Sequence, residues 1–386
     1  MDGKTQNKGL GKDKSGLSMS RRKLLKVILA GGAAQLLAAC GLSKTPAPTS
    51  TSTKIATPSS TAQSIPLQPT TQPSQIQLTM EPITARLNKS SKDPILFIVG
   101  DLVSRGSVDR AQKVISLIQT LMAQHPGTEM LVACVGDNEQ EGAPTLSDYQ
   151  TYFDSTYGVF VREGIFRPVR GNHDIYDIGH GQAYSEYFNA VTHFGEIQID
   201  DGQLNYNYSF DLGSWHIIGI DQPDTDFNPS GLDFLKSDLA EHAAAKGKLV
   251  FWHVPTYCSS YEIRDNPALI PLNRAAYDAG VDIQVNGHAH IYQRFYPINP
   301  AGQRDDAGGI TTFIAGIGGE DYDYGFRPSS AEAASAVFMN TFPGGNGNHA
   351  IGVLMFTLHD GWADYALYNA NDNAILDQGT VFCHQI

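Results

Sequence analysis

Gly171-Asn172-His173-Asp174 directly follows the run Ile165-Phe166-Arg167-Pro168-Val169-Arg170, so a polar stretch stands at the end of a short apolar-bounded run. Apolar residues bound the run, which predicts a buried strand over residues 166–169 with the polar turn at its carboxyl end. Asn172 and His173 offer oxygen and nitrogen atoms of the kind that bind metal ions and phosphate groups. Whether they form such a site depends on what else the fold brings to them.

Other predicted strands end in the same way. Apolar runs over residues 94–100, 130–135, 249–254 and 281–286 each end at metal-capable side chains, namely Asp101, Asp137, His253, His288 and His290. In open α/β sheets, ligands collect at the carboxyl ends of the strands. Each residue taken alone is more often a turn or core residue, so the prediction of a metal site depends on their conjunction in this order.

The order of the predicted elements indicates the fold class. Helices are predicted over residues 107–124, with Ser107 as the cap, over 146–157 and over 232–245, and a hairpin over 206–211 and 215–221. The last part is a run of strands over 310–317, 351–358, 362–368 and 374–382. Parallel units thus come first and an antiparallel closure last. We expect an α/β (α+β) fold, a four-layer αββα sandwich of two mixed sheets flanked by helices.

Residues 1–39 are typical of an export signal. Eight basic residues precede an apolar run over residues 27–39 that is too short to span a membrane. Ser20-Arg21-Arg22-Lys23-Leu24-Leu25-Lys26 looks like a twin-arginine signal, and Leu37-Ala38-Ala39-Cys40 resembles a bacterial lipobox. The alternative is an ordinary anchor helix. We predict an exported, extracytoplasmic protein that is lipid-anchored to the cell membrane through Cys40 and touches the membrane only there.

The remainder divides into a tether and one domain. Residues 40–84 are rich in Ser, Thr and Pro, which predicts a disordered tether rather than a structured arm. Residues 85–386 are predicted to form the folded domain. After Cys40 it contains Cys134, Cys258 and Cys383, an odd number that excludes a fully paired framework. Cys134 lies in an apolar strand and is predicted to be a core residue. Whether Cys258 pairs with Cys383 is left open.

The charge of the chain argues against one class of partner. Residues 1–39 carry 8 basic and 2 acidic residues, a net +6, whereas the whole chain carries −13, so the processed chain would carry −19. A protein this acidic is repelled by polyanions, so no nucleic acid is expected as a partner. A metal-dependent nuclease is disfavoured for the same reason.

The metal-capable motifs resemble those of the calcineurin-like metallophosphoesterases, in the branch near the purple acid phosphatases. The resemblance runs from residue 95 to 319 and rests on Gly100-Asp101, Gly136-Asp137-Asn138, Gly171-Asn172-His173-Asp174, Trp252-His253-Val254-Pro255-Thr256-Tyr257 and Gly287-His288-Ala289-His290-Ile291-Tyr292-Gln293-Arg294. It implies hydrolysis of a phosphomonoester or phosphodiester at a dinuclear site, with a metal-bound hydroxide as the nucleophile. A phosphorylated small molecule is the expected substrate.

The resemblance also implies a role for each residue. Asp137 would bridge both ions. Asp101 and His290 would complete the protein ligands of the first ion, and Asn172, His253 and His288 would hold the second ion. His173 would be catalytic and face the phosphoryl group. Asp174 could orient His173 or serve as a turn residue. Carboxylate, amide and imidazole donors suit divalent or trivalent Fe, Zn or Mn.

Two positions depart from the family pattern. Purple acid phosphatases place a tyrosine three residues after the bridging aspartate, where this chain has Gln140; other branches place a histidine two residues after the first aspartate, where it has Val103. Gln140, Glu139, Glu141 or water could complete the first ion. We expect a weaker first site that prefers a hard divalent ion, and no tyrosinate-to-iron colour. The alternative function is a catalytically weakened lipoprotein of this fold with a binding or sensory role.

Overall fold

The computed structural model describes residues 92–177, 179–191, 199–200, 203–204, 206–320, 327–339 and 351–384. By its internal contacts the chain divides into Met1–Gln75 and Ile76–Ile386, and every described residue belongs to the second unit. The export signal, Cys40 and the tether predicted up to residue 84 lie outside the described residues. Within the described part, no helix is long and apolar enough to cross a membrane.

Strands and helices alternate in the first half, and strands dominate the second half. The strands are β1 (Ile95–Val99), β2 (Met130–Cys134), β3 (Phe166–Pro168), β4 (Ile199–Asp200), β5 (Gln203–Leu204), β6 (Tyr208–Leu212), β7 (Trp215–Gly219), β8 (Gly247–Phe251), β9 (Ile283–Asn286), β10 (Tyr292–Phe295), β11 (Thr311–Ala315), β12 (Ser335–Met339), β13 (Gly352–His359), β14 (Trp362–Asn369) and β15 (Ile375–Phe382). The α-helices are α1 (Val108–Gln124), α2 (Leu146–Asp148), α3 (Gly158–Arg162), α4 (Gln182–Val191), α5 (Pro229–Glu241) and α6 (Ile270–Asp278).

Two mixed sheets form the frame. The first has six strands in the order β15-β14-β13-β1-β2-β3, and the second has seven in the order β12-β10-β11-β9-β8-β7-β6. In the first sheet β1, β2 and β3 are parallel, while β13, β14 and β15 close it in antiparallel pairs. In the second sheet β7, β8, β9 and β11 are parallel. The predicted order of parallel units followed by antiparallel closure is confirmed.

Alternation along the strands builds the layers. In β1, Leu96 and Ile98 join a core that includes Phe251 and Val285 of the second sheet, whereas Phe97 packs on the opposite face in a core that includes residues of α1. The outer face of the second sheet packs against α5 and α6. Successive side chains of a strand point to opposite faces of the sheet, so each sheet buries apolar side chains on both of its faces. The αββα sandwich expected from the sequence is confirmed.

Two local expectations were wrong, and two strands were missed. The helix predicted over 146–157 is broken: after α2, a π-helical turn spans Tyr149–Phe153, and α3 follows separately. Ser107 makes no side-chain cap to α1; its hydroxyl donates to Glu320 Oε2 at 2.7 Å instead. Strands β10 and β12 were not predicted, because Gln293 and Arg294 interrupt the apolar pattern of β10. Cys134, Cys258 and Cys383 form no disulfide bond with one another, and Cys134 is a buried core residue as predicted.

A buried histidine joins the β6–β7 hairpin to α5. His216 Nδ1 lies 2.7 Å from Asp211 Oδ1, and Nε2 lies 2.7 Å from Asp238 Oδ2. Burial alone would lower the pKa of the ring, but the bonds to Asp238 and Asp211 outweigh it and raise the pKa. His242 stacks on this ring, with centroids 3.8 Å apart and planes 12° apart. Nearly parallel rings cannot aim their in-plane lone pairs at one ion, so His216 and His242 do not form a metal site. His216 is instead a protonated ring paired with two carboxylates.

His216→Gln is expected to lower the free energy of unfolding by about 2 kcal/mol near pH 6, because the variant cannot donate to both carboxylates. Because folding raises the pKa of His216, the protonated ring stabilises the folded protein fully at pH values below the unfolded-state pKa of about 6.5. This stabilisation is lost as the pH rises through the folded-state pKa. The difference in the free energy of unfolding between wild type and variant should therefore become smaller at alkaline pH, as measured by urea unfolding across the pH range. A difference that does not change with pH would contradict the assignment of His216 as a protonated ring in the folded protein.

Candidate metal centre

The carboxyl ends of parallel strands from both sheets bring the predicted side chains together. The chain turns sharply at three of them, where Asp101, Asp137 and His288 adopt φ values of 59°, 55° and 68°. A residue with a Cβ adopts this left-handed conformation at a cost, which the surrounding packing must offset. Such strain is concentrated at functional sites, and here it aims three polar side chains out of the strand ends.

Glycines allow the loops to approach each other. A Cβ on Gly171 would lie 2.1 Å from Asp137 Oδ1, and a Cβ on Gly136 would lie 2.5 Å from His253 Nδ1. Both distances are shorter than van der Waals contact, so any larger residue would push the loops after β2, β3 and β8 apart. Gly136 also has a φ of +100°, which favours glycine.

The first group of ligand atoms surrounds His253, which is fully buried. Its Nδ1 lies 2.9 Å from the carbonyl oxygen of Val135 and must donate to it. Its Nε2 therefore faces Asn172 Oδ1 at 2.9 Å and Asp137 Oδ2 at 3.3 Å. A lone pair on Nε2 would repel these two oxygens, so this nitrogen either carries a proton or shares a metal ion with them. The arrangement calls for positive charge at this point.

The electrostatics agree with a shared cation. Burial alone would lower the pKa of His253, but the Asp137 carboxylate outweighs it and raises the pKa to about 9. Burial and the neighbouring charge of His253 lower the pKa of His288 to about 3, so its ring keeps a lone pair. Among the described residues, the buried His288 Nδ1 has no hydrogen-bond partner. Ligand atoms of Asp137, His253 and His288 lie within 4.8 Å of one another. A metal ion would satisfy all of them, so these residues fit one.

A second group lies beside it, around Asp101. Asp101 Oδ1 is 3.3 Å from His290 Nε2, and Asp101 Oδ2 accepts from the backbone N–H of His288 at 3.0 Å. The Gln140 amide donates to Asp101 Oδ1 at 3.4 Å and to Asp137 Oδ2 at 3.2 Å. Gln140 thus stands between the two carboxylates. The side chain of Val103 is buried, and its carbonyl accepts from the Gln140 backbone N–H.

His173 stands at the edge of these groups. Its backbone N–H donates to Asp137 Oδ1 at 2.8 Å, while its ring Nδ1 lies 3.2 Å from the carbonyl oxygen of Glu141. That carbonyl can only accept, so it holds the proton on Nδ1 and leaves Nε2 for other chemistry. The ring is half-buried, in contrast to the fully buried His253.

Asp174 holds two of the site's loops together. Its buried carboxylate accepts from the N–H of Gly171 at 2.7 Å, from the N–H of Asn138 at 3.1 Å and from the Tyr149 hydroxyl. Burial and the charge of Asp137 raise its pKa to about 6. The ring of His173 is oriented by the Glu141 carbonyl rather than by Asp174. Sequence reasoning missed both Glu141 in this role and Tyr149, which the π-helical turn places over Asp174.

The arginines near the motifs are mostly paired. Arg170 makes a bidentate ion pair with Asp221, at 2.9 and 2.5 Å, and Arg294 makes one with Asp377, at 2.7 and 3.1 Å. These two side chains are therefore salt-bridged to carboxylates. Arg105 is exposed, and its Nε donates to the Tyr152 hydroxyl at 2.8 Å.

Comparisons with known proteins agree with this geometry. A family model described as calcineurin-like phosphoesterase matches residues 79–292. Acid phosphatase A of the fungus Cryphonectria parasitica is 30% identical over a match that covers 29% of this chain and only 27% of that relative. A purple acid phosphatase from yellow lupin (Lupinus luteus) seeds has a TM-score of 0.55 at 15% identity, over 77% of this chain and 55% of that chain. GAP50, the anchor in the inner membrane complex of Plasmodium, has a TM-score of 0.53 at 16% identity, over 76% of this chain and 90% of that chain. At these identities the two structures show a shared fold.

Proposed function

Because the chain belongs to the calcineurin-like phosphoesterase family, we propose that it is a metal-dependent hydrolase of phosphoric esters. The observation that carries the proposal is the convergence of Asp137, His253 and His288, where a buried nitrogen of His288 has no hydrogen-bond partner among the described residues. A site that serves only packing would pair this buried nitrogen with a hydrogen-bond partner. A phosphorylated small molecule, as a monoester or a diester, is the proposed substrate.

The residues divide into two ligand sets. Asn172, His253 and His288 would hold one ion, Asp101 and His290 would hold the other, and Asp137 would be shared. Bound cations of Fe, Zn or Mn would supply the positive charge and Lewis acidity that activate a water molecule and neutralise phosphoryl oxygens. The carboxylate of Asp137 lies 3.3 Å from His253 Nε2 and 3.2 Å from Gln140 Nε2, so it reaches toward both sets.

His173 would act on the leaving group. Since the Glu141 carbonyl fixes the proton on Nδ1, Nε2 is the atom that would carry a transferable proton. A protonated Nε2 would stabilise the developing negative charge and then protonate the departing alkoxide. The hydrogen bond from the His173 backbone to Asp137 ties the position of this ring to the shared ligand.

Gln140 would set the character of the ion held by Asp101. It offers a neutral amide oxygen in place of an anionic phenolate, after rotation of the amide group. A neutral ligand favours a hard divalent ion over ferric iron at this position. The absence of tyrosinate-to-iron colour stays a prediction, which the visible spectrum of the iron-loaded protein checks.

The N-terminal segments support a proposed location. The basic and apolar pattern of residues 1–39 would direct export, and Cys40 would carry the lipid. Residues 40–84 would then tether the domain at the outer face of the cell membrane. Twin-arginine export carries folded proteins, so the metals could be loaded before the protein leaves the cytoplasm.

The proposal is tested by hydrolysis of a chromogenic phosphomonoester and a chromogenic phosphodiester across several divalent metals, with Asp137→Asn as the control. We expect a metal-dependent rate in the wild type that the control lacks. The rival function is binding or sensing by a weakened site, and the observation that favours it is the Gln140 amide bonded to both carboxylates. No metal-dependent rate above that of the control would favour the rival.

A further inference from the structure

Tyr176 is an exposed aromatic side chain beside His173. It directly follows the 3₁₀ turn His173–Ile175, and its backbone N–H donates to the His173 carbonyl at 3.2 Å. The two ring centroids lie 5.4 Å apart with a tilt of 57°. Tyr176 is nevertheless 48% exposed, whereas Asp174 in the same turn is fully buried. A large aromatic surface is thus held in place by a short turn and presented to solvent.

Two other exposed aromatic rings among the described residues lie against arginine side chains. Tyr261 lies under the guanidinium of Arg327, which is 5.0 Å from its ring centroid, and Tyr296 lies under that of Arg304, at 3.8 Å. Tyr176 instead packs on the imidazole that is proposed to protonate the leaving group.

The position of His173 limits where the leaving group can lie. Its Nδ1 is held by the Glu141 carbonyl, so the ring cannot turn to present that nitrogen. The leaving oxygen must therefore come within hydrogen-bond reach of Nε2, and the rest of the alcohol must lie close to the imidazole. Aromatic pairs attract at centroid separations of about 4.5–7 Å, so a flat ring placed there can contact Tyr176.

We propose that Tyr176 forms an aromatic wall for the alcohol portion of the substrate, and that the site prefers aryl over alkyl phosphoesters. This inference rests on the proposed function, since it assumes that His173 faces the leaving group. Tyr176 would be a specificity-determining residue that touches the alcohol and takes no part in bond cleavage. Its contribution would be binding of the aryl group, before and during the reaction.

The test compares an aryl and an alkyl phosphomonoester whose leaving groups have matched pKa values. We expect Tyr176→Ala to reduce the aryl-to-alkyl ratio of kcat/KM by about 3- to 10-fold, mainly through KM for the aryl ester. Tyr176→Phe keeps the ring and should keep the ratio. Tyr261→Ala, which removes another exposed ring, serves as the matched control. An unchanged ratio in Tyr176→Ala would overturn the inference.

A binding measurement separates this inference from the proposed function. Calorimetry with phenylphosphonate and methylphosphonate on the metal-loaded protein needs no turnover. If the wild type hydrolyses neither ester, the proposed function fails, and the phosphonates alone then decide about Tyr176. Weaker binding of phenylphosphonate, but not of methylphosphonate, by Tyr176→Ala would support the wall. Equal binding of phenylphosphonate by wild type and variant would overturn it.

Discussion

Asp137→Asn is expected to lower phosphoester turnover by about 1000-fold. Asp137 faces His253 and Gln140 through Oδ2 and accepts from the His173 backbone through Oδ1. Its amide analogue would keep the size of the side chain but lose the negative charge that both ions would share. Metal-assisted charge stabilisation contributes several kcal/mol, and each 1.4 kcal/mol is a factor of ten in rate. Steady-state kinetics and metal content by mass spectrometry measure both consequences.

The matched control for this variant is Asp109→Asn. Asp109 is an exposed acid in the first turn of α1, so its loss should cost about 0.3–1 kcal/mol of helix stability and leave turnover unchanged. Retention of turnover within about tenfold by Asp137→Asn, in a protein that has lost bound metal, would contradict the role given to Asp137.

His173→Ala is expected to lower kcat by about 100- to 10,000-fold for an ester with a poor leaving group. The loss should be much smaller for an activated ester such as a nitrophenyl phosphate, because a good leaving group departs without a proton. Metal content should stay at the wild-type level, since the His173 ring is not in either ligand set. The dependence of kcat on leaving-group pKa, measured for wild type and variant, is the observable.

His180→Asn provides the comparison for His173. His180 is exposed and has a φ of 51°, a conformation that asparagine tolerates. The His180→Asn variant should hydrolyse esters with good and with poor leaving groups as the wild type does. An equal loss of kcat in His173→Ala for esters with good and with poor leaving groups would contradict the role of His173 as a general acid. A loss of bound metal in this variant would instead indicate that His173 is a metal ligand.

The general placement of the site could be predicted because it depends on local patterns. An apolar run followed by glycine and a polar residue predicts a strand end, and parallel strand ends meet at one edge of a sheet. The order of strands and helices was sufficient to predict two mixed sheets. These features need no knowledge of which distant residues touch.

The features that were missed depend on tertiary contacts. Tyr149 reaches Asp174 only because a π-helical turn interrupts the helix predicted over 146–157. The Glu141 carbonyl orients His173 across 32 positions of sequence, and no side-chain pattern marks a backbone acceptor. Ser107 looked like a helix cap, but its hydroxyl reaches Glu320 across 213 positions. The roles of the export signal and of Cys40 stay predictions, since they lie outside the described residues.

The most direct test of the metal-dependent hydrolase is the number of metal ions per folded chain, measured beside hydrolysis of a phosphoester. We expect about two ions per chain, loss of both the ions and the rate after chelation, and recovery of both when a divalent metal is restored. The same titration in Asp137→Asn should recover neither. An unchanged rate after complete removal of metal, or a folded protein that binds no metal at all, would contradict the proposed function.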